Sequence, residues 1–149
     1  MILLSRRSLL AIAAVVDIAL HARPNPVAAK HLAQRHDLPP RHLETMLQAL
    51  VRAGILKGVR GPRGGYELAV ERRRITAGDI VRAAMNSTGE DAMPPVPVSA
   101  LVSEVIGPMV ADAGKAFLEK LDAITVEELC RDATERRLII PEEIADFAI

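Results

Sequence analysis

Val59-Arg60-Gly61-Pro62-Arg63-Gly64-Gly65-Tyr66 is a basic, glycine-rich turn between two short apolar runs, Ile55 to Val59 before it and Tyr66 to Val70 after it. Gly61, Gly64 and Gly65 permit positive φ and a tight reversal, and Pro62 pre-sets one turn dihedral. Arg60 and Arg63 then place two permanent cations where the backbone is thinnest. Such a tip can approach a polyanion closely, whether the phosphates of a nucleotide or those of a nucleic acid. The glycine spacing matches neither the dinucleotide-binding fingerprint nor a Walker loop. The flanking runs read as two strands of a hairpin, with Leu68 and Val70 facing the same way.

What precedes the hairpin narrows the choice. Ser5 is placed to cap a helix from Arg6 to Ala22, which Arg23-Pro24-Asn25-Pro26 terminates because two prolines in three residues cannot continue it. The same start, Ser5-Arg6-Arg7-Ser8-Leu9-Leu10, mimics a twin-arginine export signal, with Leu20-His21-Ala22 resembling a cleavage site. Asp17 interrupts that apolar run, and Leu9, Ile12, Val16, Ala19 and Leu20 have the spacing of a core-facing helical stripe, so a helix of a folded domain is expected. A second helix is expected from about Val27 to Asp37. After the short turn Leu38-Pro39-Pro40 a third follows, Arg41 to Ala53, closed by Gly54. In the third helix Leu43, Met46, Leu47, Leu50 and Val51 fall on one face, and Arg41, His42, Glu44, Thr45, Gln48 and Arg52 on the other. The expected fold is mainly α with a small β-wing: a winged helix-turn-helix domain plus a long helix, to which the resemblance stated below gives a dimerisation role.

Composition agrees with this division. Among 149 residues half are hydrophobic, but only Tyr66, Phe117 and Phe147 are aromatic, so the core must be aliphatic. The formal net charge of zero is a sum of unlike halves. Residues 1–74 hold 13 Lys and Arg against 5 Asp and Glu, a balance of +8, and residues 75–149 hold 6 against 14, a balance of −8. A basic module joined to an acidic one fits a polyanion-binding domain carrying an oligomerisation or sensing segment. The sole cysteine, Cys130, excludes a disulfide framework or a cysteine-ligated metal site within one chain, which points to a cytoplasmic protein. No run is long enough to span a bilayer, so no membrane partner is expected.

The run Leu43-Glu44, Leu50 to Leu56, Val59 to Ala69 and Ile75-Thr76-Ala77-Gly78-Asp79-Ile80, with Leu121 to Val126 further on, resembles the Rrf2 family of bacterial transcriptional regulators over roughly Ser5 to Leu129. The resemblance implies a homodimer, most often a repressor, on double-stranded DNA, at a pseudopalindromic operator with one recognition helix per half-site. It places Arg60 in the minor groove, and Arg41, His42 and Glu44, with Thr45 and Gln48 on the same face, where bases are read. Physical chemistry supports these roles: a narrow minor groove draws arginine, and a carboxylate accepts from cytosine N4. Arg6, Arg7, Lys57 and Arg63 are expected phosphate contacts, which set affinity without reading sequence. Taken singly, each surface arginine also reads as a solvated charge, Glu44 as a partner of Gln48 or Arg41, and Lys30 and Arg35 as helix-face charges. His21, His31 and His36 read as surface or helix-end residues, with no carboxylate spacing that suggests a metal.

In the acidic half, Thr76-Ala77-Gly78-Asp79 has the form of a capping box for a helix reaching Met85-Asn86. Ser87 to Pro97 reads as an irregular loop, and Val98 to Ile106 as a further helical element. Pro108 suits the first position of a long helix to about Ala123, with Val110, Phe117, Leu121 and Ile124 forming an apolar face. In the resembling proteins such a helix packs on its symmetry mate; packing on its own domain is the alternative. A last helix is expected after Pro141. The expected organisation is a DNA-binding domain over 1–86, a linker over 87–107, and a dimerisation helix with a C-terminal extension over 108–149. Cluster-bearing members of the family hold iron with three cysteines in and after the loop. Residues 87–129 here contain none, and Met93, Ser99 and Ser103 cannot replace an anionic thiolate, so no cofactor is expected. Any signal would come from a small-molecule or protein effector. No Ser/His/Asp order, metal-ligand spacing or phosphate loop suggests an enzyme. The competing class is a winged-helix protein-interaction module acting through a partner protein, since fold alone does not establish DNA binding.

Overall fold

In the computed structural model, which describes residues 4–86 and 99–138, the Ser5 hydroxyl accepts from the Ser8 amide at 3.1 Å and opens α1, Arg6–His21. This helix is the centre of the molecule, packed by four other helices and by the hairpin. Its most buried apolar face is Ala11, Ala14, Val15 and Ile18. The stripe expected from the sequence is displaced: Ile12, Val16, Ala19 and Leu20 are half-buried and Leu9 is exposed. The two alanines let neighbouring elements approach closely, and the larger side chains seal the flanks.

Helix α2, Ala29–His36, starts later than its apolar pattern suggests, because Val27 stays extended. The Val27 amide donates to the Tyr66 carbonyl at 2.9 Å and the Val27 carbonyl accepts from the Tyr66 amide at 2.8 Å, so its backbone is committed to the hairpin. Asp37 ends α2 in the left-handed region, and α3, Pro40–Arg52, follows with proline in its first turn. Leu43, Met46, Leu47 and Leu50 are buried as expected; Val51, on the margin of that stripe, is 36% exposed, and Ala49 is buried instead. A paired closure terminates α3. Gly54, at φ 77°, donates to Val51 O at 3.0 Å, and Ile55 donates to Leu50 O at 3.0 Å.

The hairpin consists of β1, Leu56–Val59, and β2, Gly65–Leu68, antiparallel with Lys57 opposite Glu67 and Gly58 opposite Tyr66. Strand β2 ends at Leu68, so Val70, expected to share that face, lies beyond the ladder and is 42% exposed. A single 3-10 turn, Arg72–Arg74, leads to α4, Ala77–Met85. The capping box read at Thr76 is present: Asp79 N donates to Thr76 Oγ1 at 3.1 Å and Thr76 N to Asp79 Oδ2 at 3.0 Å. A second box, Thr125 with Glu128, opens α6, Val126–Glu135. The two helix starts are stitched side by side, Ala77 N to Ile124 O and Val126 N to Ile75 O, both at 2.8 Å. This brings Val126 and Cys130 of α6 into the same core as Ile18, Leu47 and Ile80.

Pro108 does not begin its helix. Helical turns start at Ala100 and pass through a π-helical turn, Val102–Ile106, into α5, Gly107–Asp122. Proline lacks an amide and crowds the preceding turn, and the wider i to i+5 turn, closed by Gly107 N on Val102 O, accommodates it. The loop read over Ser87–Pro97 and the helix read after Pro141 lie outside the described residues. Helices α4 and α5 are joined at one end by a bidentate pair, Arg82 Nη1 to Asp122 Oδ1 at 2.6 Å and Nη2 to Oδ2 at 2.8 Å. The hydrogen bond from Arg82 holds the Asp122 carboxyl below the usual carboxylate range.

Candidate nucleic-acid interface

Helix α3 is pinned by its apolar face, which leaves Arg41, His42, Glu44, Thr45, Gln48 and Arg52 exposed in one strip. Thr45 Oγ1 donates to the Arg41 carbonyl at 3.3 Å, and its hydroxyl oxygen remains free to accept. Among the described residues Glu44 pairs with neither Arg41 nor Gln48, so its carboxylate faces outward uncommitted.

At the hairpin tip, Gly61 adopts φ 119°, which only glycine takes without strain, and Gly64 N donates to Gly61 O at 2.9 Å to close the turn. Arg60 and Arg63 are exposed there, with no ion pair among the described residues. Lys57 differs: its ammonium lies 3.0 Å from Glu67 Oε1 across the ladder, so part of its charge is already balanced. Arg6 is exposed and Arg7 half-buried in the first turn of α1.

The structure adds a group that the sequence reading assigned elsewhere. Asp17, read as a break in an apolar run, is 7% exposed and anchors α2 to α1. Arg35 donates to it through Nε at 2.8 Å and Nη2 at 2.5 Å, and His36 Nε2 donates at 2.8 Å. His21 Nδ1 lies 2.9 Å from the Asp17 carbonyl and 3.1 Å from its carboxylate, while its buried Nε2 has no partner among the described residues. Burial alone would raise the Asp17 pKa, but the Arg35 hydrogen bond and charge, with His36 and His21, outweigh it and hold the carboxyl below the ordinary aspartate range. Arg35 and His36 are therefore not solvated or idle helix-end groups. The available signal was an aspartate inside an apolar helix, four residues before a histidine.

The expected dimerisation residues divide between two environments. Val110 is 58% exposed and continues an apolar edge through Leu101, Val105, Ile106 and Met109. Phe117 lines a groove against α4, and Leu121 and Ile124 are half-buried. Among the described residues no group of three or more His, Cys, Asp or Glu could hold a metal ion, and no helix is long and apolar enough to cross a membrane. Cys130 sits in the core, where burial pushes its thiol pKa up against the opposing pull of Arg72.

A helix-turn-helix whose second helix presents a polar strip, followed by an arginine-tipped hairpin tied to the same core, defines a winged-helix DNA-binding protein. The family model for Rrf2, described as an iron-dependent transcriptional regulator, matches residues 4–132. The chain belongs to the Rrf2 family of transcriptional regulators. It is 32% identical over 126 residues to protein rrf2 of Nitratidesulfovibrio vulgaris, covering 80% of this chain and 81% of that one. Similarity to BadM of Rhodopseudomonas palustris, a putative HTH-type transcriptional regulator, is 31% over 136 residues, 90% of this chain and 85% of the relative. Among solved structures, IscR of T. potens superposes with a TM-score of 0.67 at 30% identity, over 95% of each chain. CymR of B. subtilis, the global cysteine regulator, superposes with a TM-score of 0.63 at 30% identity, over 88% of this chain and 98% of that one.

Proposed function

We propose that the protein is a cytoplasmic, homodimeric repressor that binds a pseudopalindromic operator and carries no iron-sulfur cluster. The observation that carries this reading is that an exposed polar strip on α3 and an exposed Arg60/Arg63 tip belong to packed neighbours, since α3 packs on the first strand of the hairpin. In this reading Arg41, His42, Glu44, Thr45 and Gln48 read bases in the major groove and Arg60 enters the minor groove. Arg6, Arg7, Lys57 and Arg63 hold phosphates, with Lys57 exchanging Glu67 for the backbone. Residues 1–86 carry these groups, 87–107 link them to the second module, and 108–149 supply the dimer contact and extension. The contact uses the α5 face bearing Val110, Phe117 and Leu121, with Ile124 just past its end, extended by the exposed apolar edge upstream. A two-fold axis there sets the recognition helices about 34 Å apart, one turn of DNA.

The test is a salt series on a palindromic promoter fragment. The logarithm of affinity falls with the logarithm of salt, by about 0.9 for each phosphate neutralised. Arg60→Ala lowers affinity by about 5- to 150-fold, the equivalent of one minor-groove contact worth about 1–3 kcal/mol. Affinity indifferent to both salt and Arg60 would rule out the DNA reading in favour of a protein partner.

The residues present do not fit a cysteine-held cluster. The sole cysteine of the chain is Cys130, buried on α6 with its thiol pKa raised, and a cluster needs several thiolates. Protein isolated without oxygen is therefore expected to be colourless. A brown preparation with stoichiometric iron would show a ligand set that the sequence does not suggest.

A further inference from the structure

The wing carries a single carboxylate. Between Glu44 and Glu71 the sequence holds Arg52, Lys57, Arg60 and Arg63 but only one acid, Glu67. Glu67 stands directly opposite Lys57 in the ladder, and its Oε1 lies 3.0 Å from the ammonium. Leu56 and Leu68, the rung beside them, pack into the core, so alternation along the strands sends Lys57 and Glu67 to the solvent side. The last rung before the tip is Val59 opposite Gly65, two residues on and about 7 Å away at ~3.4 Å per residue. The base of the Arg60/Arg63 tip thus lies within about one Debye length of the carboxylate, ~8 Å at physiological salt.

We propose that Glu67 is an internal competitor of phosphate: it neutralises Lys57 in the free protein and so caps the affinity that the wing draws from the DNA backbone. The proposal rests on the DNA-binding reading above and applies to duplex DNA of any sequence, because phosphate contacts carry no sequence information. Seating a phosphate on Lys57 breaks the pair with Glu67. The half-buried carboxylate left behind then faces a polyanion with its own negative charge uncompensated. It recruits a cation from solution, which cancels part of the cation release that drives association. Lysine suits such an exchange, since its ammonium is a point charge on a flexible stem and moves between anions without a change of backbone. Arg60 and Arg63 have no ion pair among the described residues and undergo no exchange. Glu67 therefore holds down binding to bulk DNA, where phosphate contacts supply nearly all the affinity, and leaves the base contacts of α3 untouched.

The test is fluorescence anisotropy on a mixed-sequence duplex of about 30 base pairs over a salt series, using the full chain as wild type, Glu67→Gln, Lys57→Ala and the double variant. Glutamine keeps the shape of the side chain and removes its charge. Melting temperatures stay within roughly 3 °C of one another, because an exposed ion pair contributes little to stability. Glu67→Gln binds about 2- to 5-fold more tightly at low salt, and its logarithmic salt slope is steeper by up to about 0.9. Lys57→Ala costs little in the wild type but about 2- to 5-fold in the Glu67→Gln background, so the double variant loses the gain. Weaker binding by Glu67→Gln would overturn the proposal, since the carboxylate would then brace Lys57 for DNA. Unchanged affinity and slope would overturn it too, and a gain that survives in the Lys57→Ala background would trace to net charge alone. Wild-type protein that binds no duplex at low salt would overturn the DNA reading and this proposal together. Salt-dependent wild-type binding that ignores Glu67 would strike the proposal and leave the DNA reading standing.

Discussion

Asp17→Asn is expected to destabilise the protein by about 3 kcal/mol, lowering the melting temperature by roughly 10 °C. The side chain keeps its shape but loses the charge that faces Arg35 and His36, and one oxygen becomes an amide that donates towards donors. The Arg35 guanidinium then loses the carboxylate that accepts from it twice. The cost of breaking such a pair exceeds what the intact pair contributes, because desolvation has already been incurred. Urea titration of both proteins at neutral pH measures the difference, and a change below about 0.5 kcal/mol would show that the cluster is not an anchor. The pH dependence has a defined sign. The folded-state pKa of Asp17 is lowered, so its stabilisation is fully present above the ordinary aspartate value of about 4 and is lost as pH falls through the lowered value. Acid unfolding of the wild type should therefore include a component that Asp17→Asn lacks. Since Arg35 and His36 belong to the helix before the recognition helix, operator affinity should fall with stability even though none of these groups faces DNA.

Gly65→Ala should disable the wing at its root. A Cβ there would lie 2.3 Å from Val27 O and 2.5 Å from Val27 C, both backbone atoms held by the Val27–Tyr66 bridge. Neither can retreat without opening that bridge, so the strand shifts away and the tip moves with it. Forced overpacking of this kind costs about 1–3 kcal/mol of stability. Operator affinity falls by at least as much as in Arg60→Ala, because displacement of the tip removes both arginines together. Gly58→Ala provides the control, since a Cβ at Gly58 meets nothing within 4 Å and the site lies in the same hairpin. Parallel denaturation and DNA titrations compare the two, and equal behaviour would show that the bridge does not set the position of the wing.

Features legible from sequence were those whose causes are local. Gly54 closes a helix through its own left-handed φ, Thr76 and Asp79 cap across three residues, and the wing tip is specified by its glycines. The helix-turn-helix followed from apolar spacing and two proline-marked turns. What escaped depends on partners distant in the chain. Arg35 and His36 meet Asp17 from 18 and 19 residues away, and nothing in their own surroundings distinguishes them from solvated charges. Val27 was read as helical because its neighbours are good helix formers, but its backbone hydrogen bonds go to Tyr66. The stripe on α1 was misplaced by one position because a helix surrounded on several sides buries alanines that a one-sided pattern ignores. The exposed strip of α3 was readable, whereas the groove between α4 and α5 was not, since no periodicity records how two helices pack against each other.

The stitch between Ile75 and Val126 has a consequence for how the molecule is made. Synthesis delivers the recognition helix and wing early, but Val126 and Cys130, which close the core beneath α1, leave the ribosome last among the buried residues of the described segments. The nascent reading head waits, with an apolar face uncovered, for a segment more than forty residues downstream of α4 to arrive. Evolution therefore cannot shuffle this head as a cassette ending at residue 86. Any gene fusion that transplants it must also carry α6, and with it the helix that spans the gap.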